Sequence, residues 1–232
     1  MKNRWIAQLG SIGLVLMFAM IGHGFEADFD PSTYNPDVGE IVNFEVCEPC
    51  LGGQGFTFSW DFDGDGVSEL DTDQDLVTYS FASAGFHEVV LTISDTGGRT
   101  SVARQGVVVG PVPAFGVREL LMEPDGAILV LLTIAINERP LGIGIEEYIP
   151  DGWAIELVDA GGAVGQPNMA DKRQEYAWVR ELDSGDTVTF SYRLRPAYTS
   201  ALPTLHGIVA GFSDGIIGRY TMGIAGMLGL PR

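Results

Sequence analysis

Positive charge, cysteine and histidine are all scarce in this chain of 232 residues. Thirteen Lys and Arg face thirty-one Asp and Glu, and the formal net charge is −18. Nucleic-acid binding depends on Lys and Arg neutralising phosphates, so a nucleic-acid partner is not expected. The same deficit disfavours attraction to anionic lipid headgroups. With two Cys and three His, a zinc site runs short of ligands. No P-loop or dinucleotide fingerprint occurs, and Leu141-Gly142-Ile143-Gly144 lacks the third Gly that such a fingerprint needs. His87 falls at an outward strand position, and His206 has no partner visible in the sequence. A base without a nameable nucleophile is a weak catalytic case, so the chain is expected not to be an enzyme.

What remains is apolar, rich in glycine and built for strands. Hydrophobic residues make up 46% of the chain, enough to fill real cores. Gly and Pro punctuate short runs of Val, Thr, Ile and aromatics, and no long helical period appears. Lys2 and Arg4 precede an apolar stretch from Trp5 to Ile21, followed by Gly22-His23-Gly24. That is the plan of a secretory signal peptide spanning residues 1–24; an uncleaved membrane anchor is the rival reading. The chain is therefore expected outside the cytoplasm, secreted or at the cell surface, touching a membrane only if that segment is retained.

Charge divides the rest in two. Residues 25–110 hold sixteen acids and two bases, whereas residues 111–232 hold fifteen and nine. The seam is Gly110-Pro111-Val112-Pro113, read as a short, stiff linker. Alternation over Ile41–Val46, Gly55–Asp61, Val77–Phe81, Phe86–Ser94 and Arg99–Val109 predicts strands in the first unit. The second shows further short strands, among them Ile128–Asn137, whose nearly continuous apolar run predicts a central strand buried on both faces. The expected fold is all-β, two immunoglobulin-like β-sandwiches in tandem.

The first unit carries Trp60-Asp61-Phe62-Asp63-Gly64-Asp65-Gly66, then Val77-Thr78-Tyr79-Ser80-Phe81. Ala84-Gly85-Phe86-His87-Glu88-Val89-Val90-Leu91-Thr92-Ile93 and the turn Asp95-Thr96-Gly97-Gly98 follow. In this order the four blocks resemble the PKD (polycystic kidney disease) family over about residues 27–109, with Phe86 where Tyr is usual and a lengthened D-F-D-G-D-G turn. The resemblance implies an extracellular binding or spacer module. The residues agree independently: Trp60 is expected between the sheets, with Tyr79, Phe81 and Leu91 facing it, each buried aromatic contributing roughly 2–3 kcal/mol. The second unit is similar to sandwich modules of secreted and surface-layer proteins, through Glu146-Glu147-Tyr148-Ile149-Pro150-Asp151-Gly152-Trp153, Tyr176-Ala177-Trp178 and Val188-Thr189-Phe190-Ser191-Tyr192-Arg193-Leu194. Trp153 and Trp178 are expected as core anchors; exposure for sugar stacking is the other reading.

Two features carry chemistry. Seven carboxylates fall within Asp61–Asp75. The D-x-D-x-D-G opening suits Ca²⁺, but Thr72 stands at the twelfth position, where a bidentate Glu would close an EF-hand loop. A degenerate Ca²⁺ loop using Asp63, Asp65, Glu69 and Asp71 is one reading. Solvated acids around a turn ordered by Asp61 are the other. Cys47 and Cys50, in Cys-Glu-Pro-Cys, form a small-loop disulfide, remain free thiols, or serve metal or redox chemistry. The functional expectation is a structural or adhesion protein contacting extracellular protein or polysaccharide. The alternatives are a carbohydrate-binding module with exposed aromatics, and an unrecognised secreted hydrolase.

Overall fold

The computed structural model describes residues 25–51, 55–168, 171–197, 202–213 and 220–230. The expected signal segment, 1–24, lies outside the described residues.

Seven strands build the first sandwich: β1 (Phe29–Pro31), β2 (Val42–Val46), β3 (Thr57–Asp61), β4 (Leu70–Thr72), β5 (Leu76–Tyr79), β6 (Gly85–Ser94) and β7 (Thr100–Val109). A single helical turn, α1 (Glu48–Leu51), follows β2. β1, β2 and β5 form one sheet, and β7, β6, β3 and β4 run consecutively in the other. Alternation dictates the layers: β2 reads buried–exposed–buried from Val42 to Val46, so one face enters the core and the other meets water. Trp60 is fully buried between the sheets, its ring 5.0 Å from Phe29 edge-on and 5.7 Å from Phe62 in a stack. Phe81 and Leu91 are buried in the same core; Tyr79 is only half-buried at its margin, stacked 4.0 Å from Phe62.

The second sandwich comprises β8 (Ala114–Met122), β9 (Ile128–Ile136), β10 (Pro140–Tyr148), β11 (Trp153–Asp159), β12 (Val164–Asn168), β13 (Arg173–Trp178), β14 (Thr187–Pro196), β15 (Gly207–Ser213), β16 (Tyr220–Gly223) and β17 (Ala225–Met227). Its five-stranded sheet runs β12-β13-β10-β15-β16. Opposite lie β11-β14-β9-β8. β9 is central there, but its burial alternates: Ile128, Val130, Leu132, Ile134 and Ile136 face the core, while the residues between them are half-buried. The expectation of burial on both faces is corrected, since the second layer covers one side of this sheet.

The two sandwiches share a sheet. β17 pairs antiparallel with β7, Gly226 opposite Gly106, and parallel with β8, Gly226 opposite Arg118. One nine-stranded sheet, β11-β14-β9-β8-β17-β7-β6-β3-β4, therefore crosses both units. Gly226 has φ +80°, and a Cβ there would collide with the Arg118 backbone, so the position demands glycine. Val108, Val112 and Ala225 close a small apolar core at the joint, and the Phe86 ring lies over Gly106 and Gly223. The Pro-rich seam is thus packed into the structure, with Val112 buried, instead of spacing two units apart.

One ion pair sits inside the second core. Arg118 Nη2 donates to Glu147 Oε1 at 2.5 Å, both side chains out of water, and the Tyr192 hydroxyl donates to Glu147 Oε2 at 2.6 Å. Burial, reinforced by the Glu147 carboxylate, pushes the Tyr192 hydroxyl well above its ordinary value, so it stays a donor. Gly207 lies opposite Glu147 because any side chain there would strike its carboxylate. Removing one member of a buried pair strands the other charge. Arg118→Met is expected to cost about 3–5 kcal/mol in urea denaturation, and adding Glu147→Leu to restore much of that loss.

Candidate functional site

The acidic turn between β3 and β4 is organised by Asp61. Its Oδ1 accepts from the backbone N–H of Gly64 at 2.6 Å and Asp63 at 3.3 Å; Oδ2 accepts from Gly66 N–H at 2.8 Å. Gly64 and Gly66, at φ +73° and +89°, provide the left-handed backbone that lets three N–H groups converge on one carboxylate. Glu69 reaches back to accept from Phe62 N–H at 2.6 Å. One carboxylate oxygen from each of Asp61, Asp63, Asp65 and Glu69 then lies within 4.8 Å of the other three. Such an oxygen set has the hardness and charge a calcium ion favours.

This grouping differs from the expected one in one residue. Asp71 is not in the cluster: its Oδ1 accepts from the Ser59 hydroxyl and, at 2.9 Å, from the Ser68 hydroxyl. Those hydroxyls, Ser59 foremost, hold its carboxyl below the usual range. Asp61 takes its place, and the D-x-D-x-D spacing beginning at Asp61 was the available signal. Asp71 pairs through β4 with Ser59 of β3, which turns it away along the strand.

The sulfurs of Cys47 and Cys50 lie at bonding distance across α1. Asp28 packs beside them, its carboxylate within 4.8 Å of both. The segment before β1 straps this corner down: Cys47 N–H donates to Asp28 O at 2.9 Å and Glu26 N–H to Cys50 O at 3.1 Å. Burial, then the negative charge of Asp30, pushes the Asp28 carboxyl up to about 6. Asp30 is raised as well, by burial and by Glu45.

The three tryptophans singled out by sequence are all interior, at 0%, 8% and 3% exposure for Trp60, Trp153 and Trp178. None can offer a face to a sugar ring. The aromatics on the outer face of the five-stranded sheet are others. Tyr148 of β10 and Phe212 of β15 are exposed, and both sit at outward positions of paired strands. Phe212 pairs with Gly142. Between the two aromatics run Gly142, Gly144, Ala177 and Ala210, which leave the sheet smooth, then Glu146, Glu175 and Arg173. Six residues of β10 place Tyr148 roughly 20 Å along the sheet from Phe212. Neither aromatic belongs to a motif, so only the strand register reveals that they share a face.

Fold and sites together define an all-β protein of two sandwiches joined through one sheet. Residues 32–108 match the model of the PKD domain, the family that the sequence of the first unit resembles. No curated protein matches the chain. Among solved structures, it is similar to a carbohydrate-binding module of the β-sandwich superfamily at 15% identity, over 89% of this chain and 97% of that one, with a TM-score of 0.35. It is also similar to the S. aureus collagen adhesin (10% identity, 89% and 94% covered, TM-score 0.34) and to the full-length major pilin SpaD of Corynebacterium diphtheriae (7%, 78% and 58%, TM-score 0.41). At these identities and TM-scores the likeness carries no weight for function. Among the described residues, no helix is long and apolar enough to cross a membrane.

Two outcomes follow. If the cluster at Asp61 takes Ca²⁺, millimolar Ca²⁺ raises the melting temperature of the chain relative to EDTA, and Asp63→Asn with Asp65→Asn abolishes the rise, read by calorimetry. For Asp28, the folded-state value lies above the unfolded 3.8, so the native state binds the extra proton. Stability should therefore rise as pH falls through about 6 and level off below the unfolded value. Asp28→Asn is expected to stabilise the chain by about 2 kcal/mol near pH 7.5, with the gap closing towards pH 4 in parallel urea titrations.

Proposed function

We propose that this chain is a non-enzymatic protein of the cell exterior, exported by its N-terminal segment, that makes contacts with polysaccharide or protein through the outer face of its five-stranded sheet. The exposure of Tyr148 and Phe212 on one smooth sheet face carries this reading. A floor of glycine and alanine beside Phe212 lets an extended ligand approach the backbone closely, Glu146, Glu175 and Arg173 offer polar contacts towards Tyr148, and an aromatic at each end supplies stacking area. The PKD match at residues 32–108 supports an extracellular setting, and the joined sheet supports a role for the first sandwich as a spacer that holds this face away from the attachment point. Ca²⁺ at the Asp61 cluster would stiffen the far end of the same sheet, since β3 and β4 form its edge.

Burial of Trp60, Trp153 and Trp178 removes the tryptophans from any sugar-stacking role, so polysaccharide binding rests on Tyr148 and Phe212. Affinity electrophoresis in gels cast with neutral and acidic polysaccharides decides between ligands. Retardation by a glycan, lost by at least tenfold in affinity in Tyr148→Ala with Phe212→Ala, is the expected result. Retardation that survives both changes would place the contact elsewhere, and no retardation in any gel would leave protein contact as the function of this face.

A further inference from the structure

We propose that the Cys47–Cys50 pair is a thiol–disulfide exchange site for low-molecular-weight thiols, with the Asp28 carboxyl positioned to control its reactivity. Both cysteines are only half-buried, so the loop borders solvent and is not sealed in the core. The bond closes a loop with a sequence separation of three, too short to restrain much of the unfolded chain, so the pair does little as a structural staple. Two backbone hydrogen bonds, from Cys47 N–H to Asp28 O and from Glu26 N–H to Cys50 O, hold the acid against the loop from both ends. A carboxylate oxygen within 4.8 Å of both sulfurs can serve whichever one leaves.

The exchange balances without further cofactors. A thiolate RS⁻ attacks one sulfur, the Cys47–Cys50 bond breaks, and its electron pair passes to the departing sulfur as a mixed disulfide forms. Protonated Asp28 gives its proton to that sulfur. A second RS⁻ then attacks the sulfur of R in the mixed disulfide, releasing RSSR and the second cysteine as a thiolate, which takes a proton from solvent. Two thiols are oxidised to one disulfide, and the protein disulfide is reduced to a dithiol. Ionised Asp28 does the opposite: it repels the incoming thiolate and destabilises the departing one.

The carboxyl titrates where this matters, its burial raising it to about 6. The titratable groups facing it are Glu26 and Asp30 of its own segment and Tyr34, whose hydroxyl donates to Gln105 Oε1 at 2.8 Å and is pushed above its ordinary value by burial, Asp30 and Asp28. Glu45 of β2 acts on Asp30 in turn. All are acids, so neutralising Asp28 removes negative charge from a corner that holds a surplus of it.

The test uses the full chain and reduced glutathione at about 10 mM, following trapped thiols by alkylation and mass between about pH 5 and 8. Rates are expressed per glutathione thiolate. The expected result is reversible reduction, with a rate per thiolate that falls about tenfold as pH rises through the Asp28 range. Asp28→Asn should lose that inflection and Asp28→Glu should keep it. Near-UV circular dichroism checks that each variant is folded; if the Asn variant is not, the Glu variant and the wild-type profile decide. A disulfide that resists glutathione in the folded chain overturns the proposal, as does an inflection unchanged in folded Asp28→Asn.

Discussion

The pairing of β17 with both β7 and β8 is the constraint on which the rest of the architecture depends. Without it, each sandwich would present an open edge at the joint, and unpaired strand edges must be covered, paired or charged. With it, the ladder runs unbroken from β11 to β4. The joint is tight because its residues are small: Gly106, Gly223, Gly226 and Ala225 let three strands and the Phe86 ring approach closely. Gly226 is the least replaceable, since it meets both the sterics of Arg118 and a left-handed φ.

Acidic side chains are handled in four distinct ways in this acid-rich molecule. Asp61 is caged by backbone N–H groups, Asp71 by two serine hydroxyls, Glu147 by an arginine and a tyrosine in a dry core, and Asp28 by partial burial that shifts it towards neutrality. Of the four, Asp28 is the one whose surroundings shift it towards neutrality, whereas Asp61 is fixed by backbone N–H groups. Glu147 and Arg118 neutralise each other where no solvent can, which orients both layers of the second sandwich around a single geometry.

Much of this fold was legible in the sequence, because half-buried strands write their period directly. Phe86–Ser94 and the block Val188–Leu194 alternate, and the structure has strands over Gly85–Ser94 and Thr187–Pro196. Short strands with little alternation were missed: β1 is Phe-Asp-Pro, β4 is Leu-Asp-Thr and β12 is Val-Gly-Gln-Pro-Asn, and each exists because a longer neighbour offers an edge. The joint was illegible for a similar reason. Nothing in Ala225-Gly226-Met227 names its partners, which lie far away in the sequence. In the acidic turn, Asp61 orders the backbone as one of the two sequence readings expected, Asp63, Asp65 and Glu69 gather beside it, and Asp71 is aimed away along β4. The buried Arg118–Glu147 pair left no trace, since each charge sits beside another, Glu119 and Glu146, and the sequence does not say which of the two faces the core.

Parallel pairing of β17 with β8 also orders events in time. Residues of β17 follow every other described strand, yet they complete a ladder whose flanking members, β7 and β8, precede nearly all of the second sandwich. During synthesis, the first sandwich can gather its core early, but the seam beside it must wait with two ladder edges unfilled until β17 arrives. Contacts this distant along the chain slow folding, and edges that wait are where two emerging copies could pair wrongly. The Arg118 backbone leaves no room for a Cβ at the position Gly226 fills, which favours the chain's own Ala225-Gly226-Met227 over a bulkier stray strand.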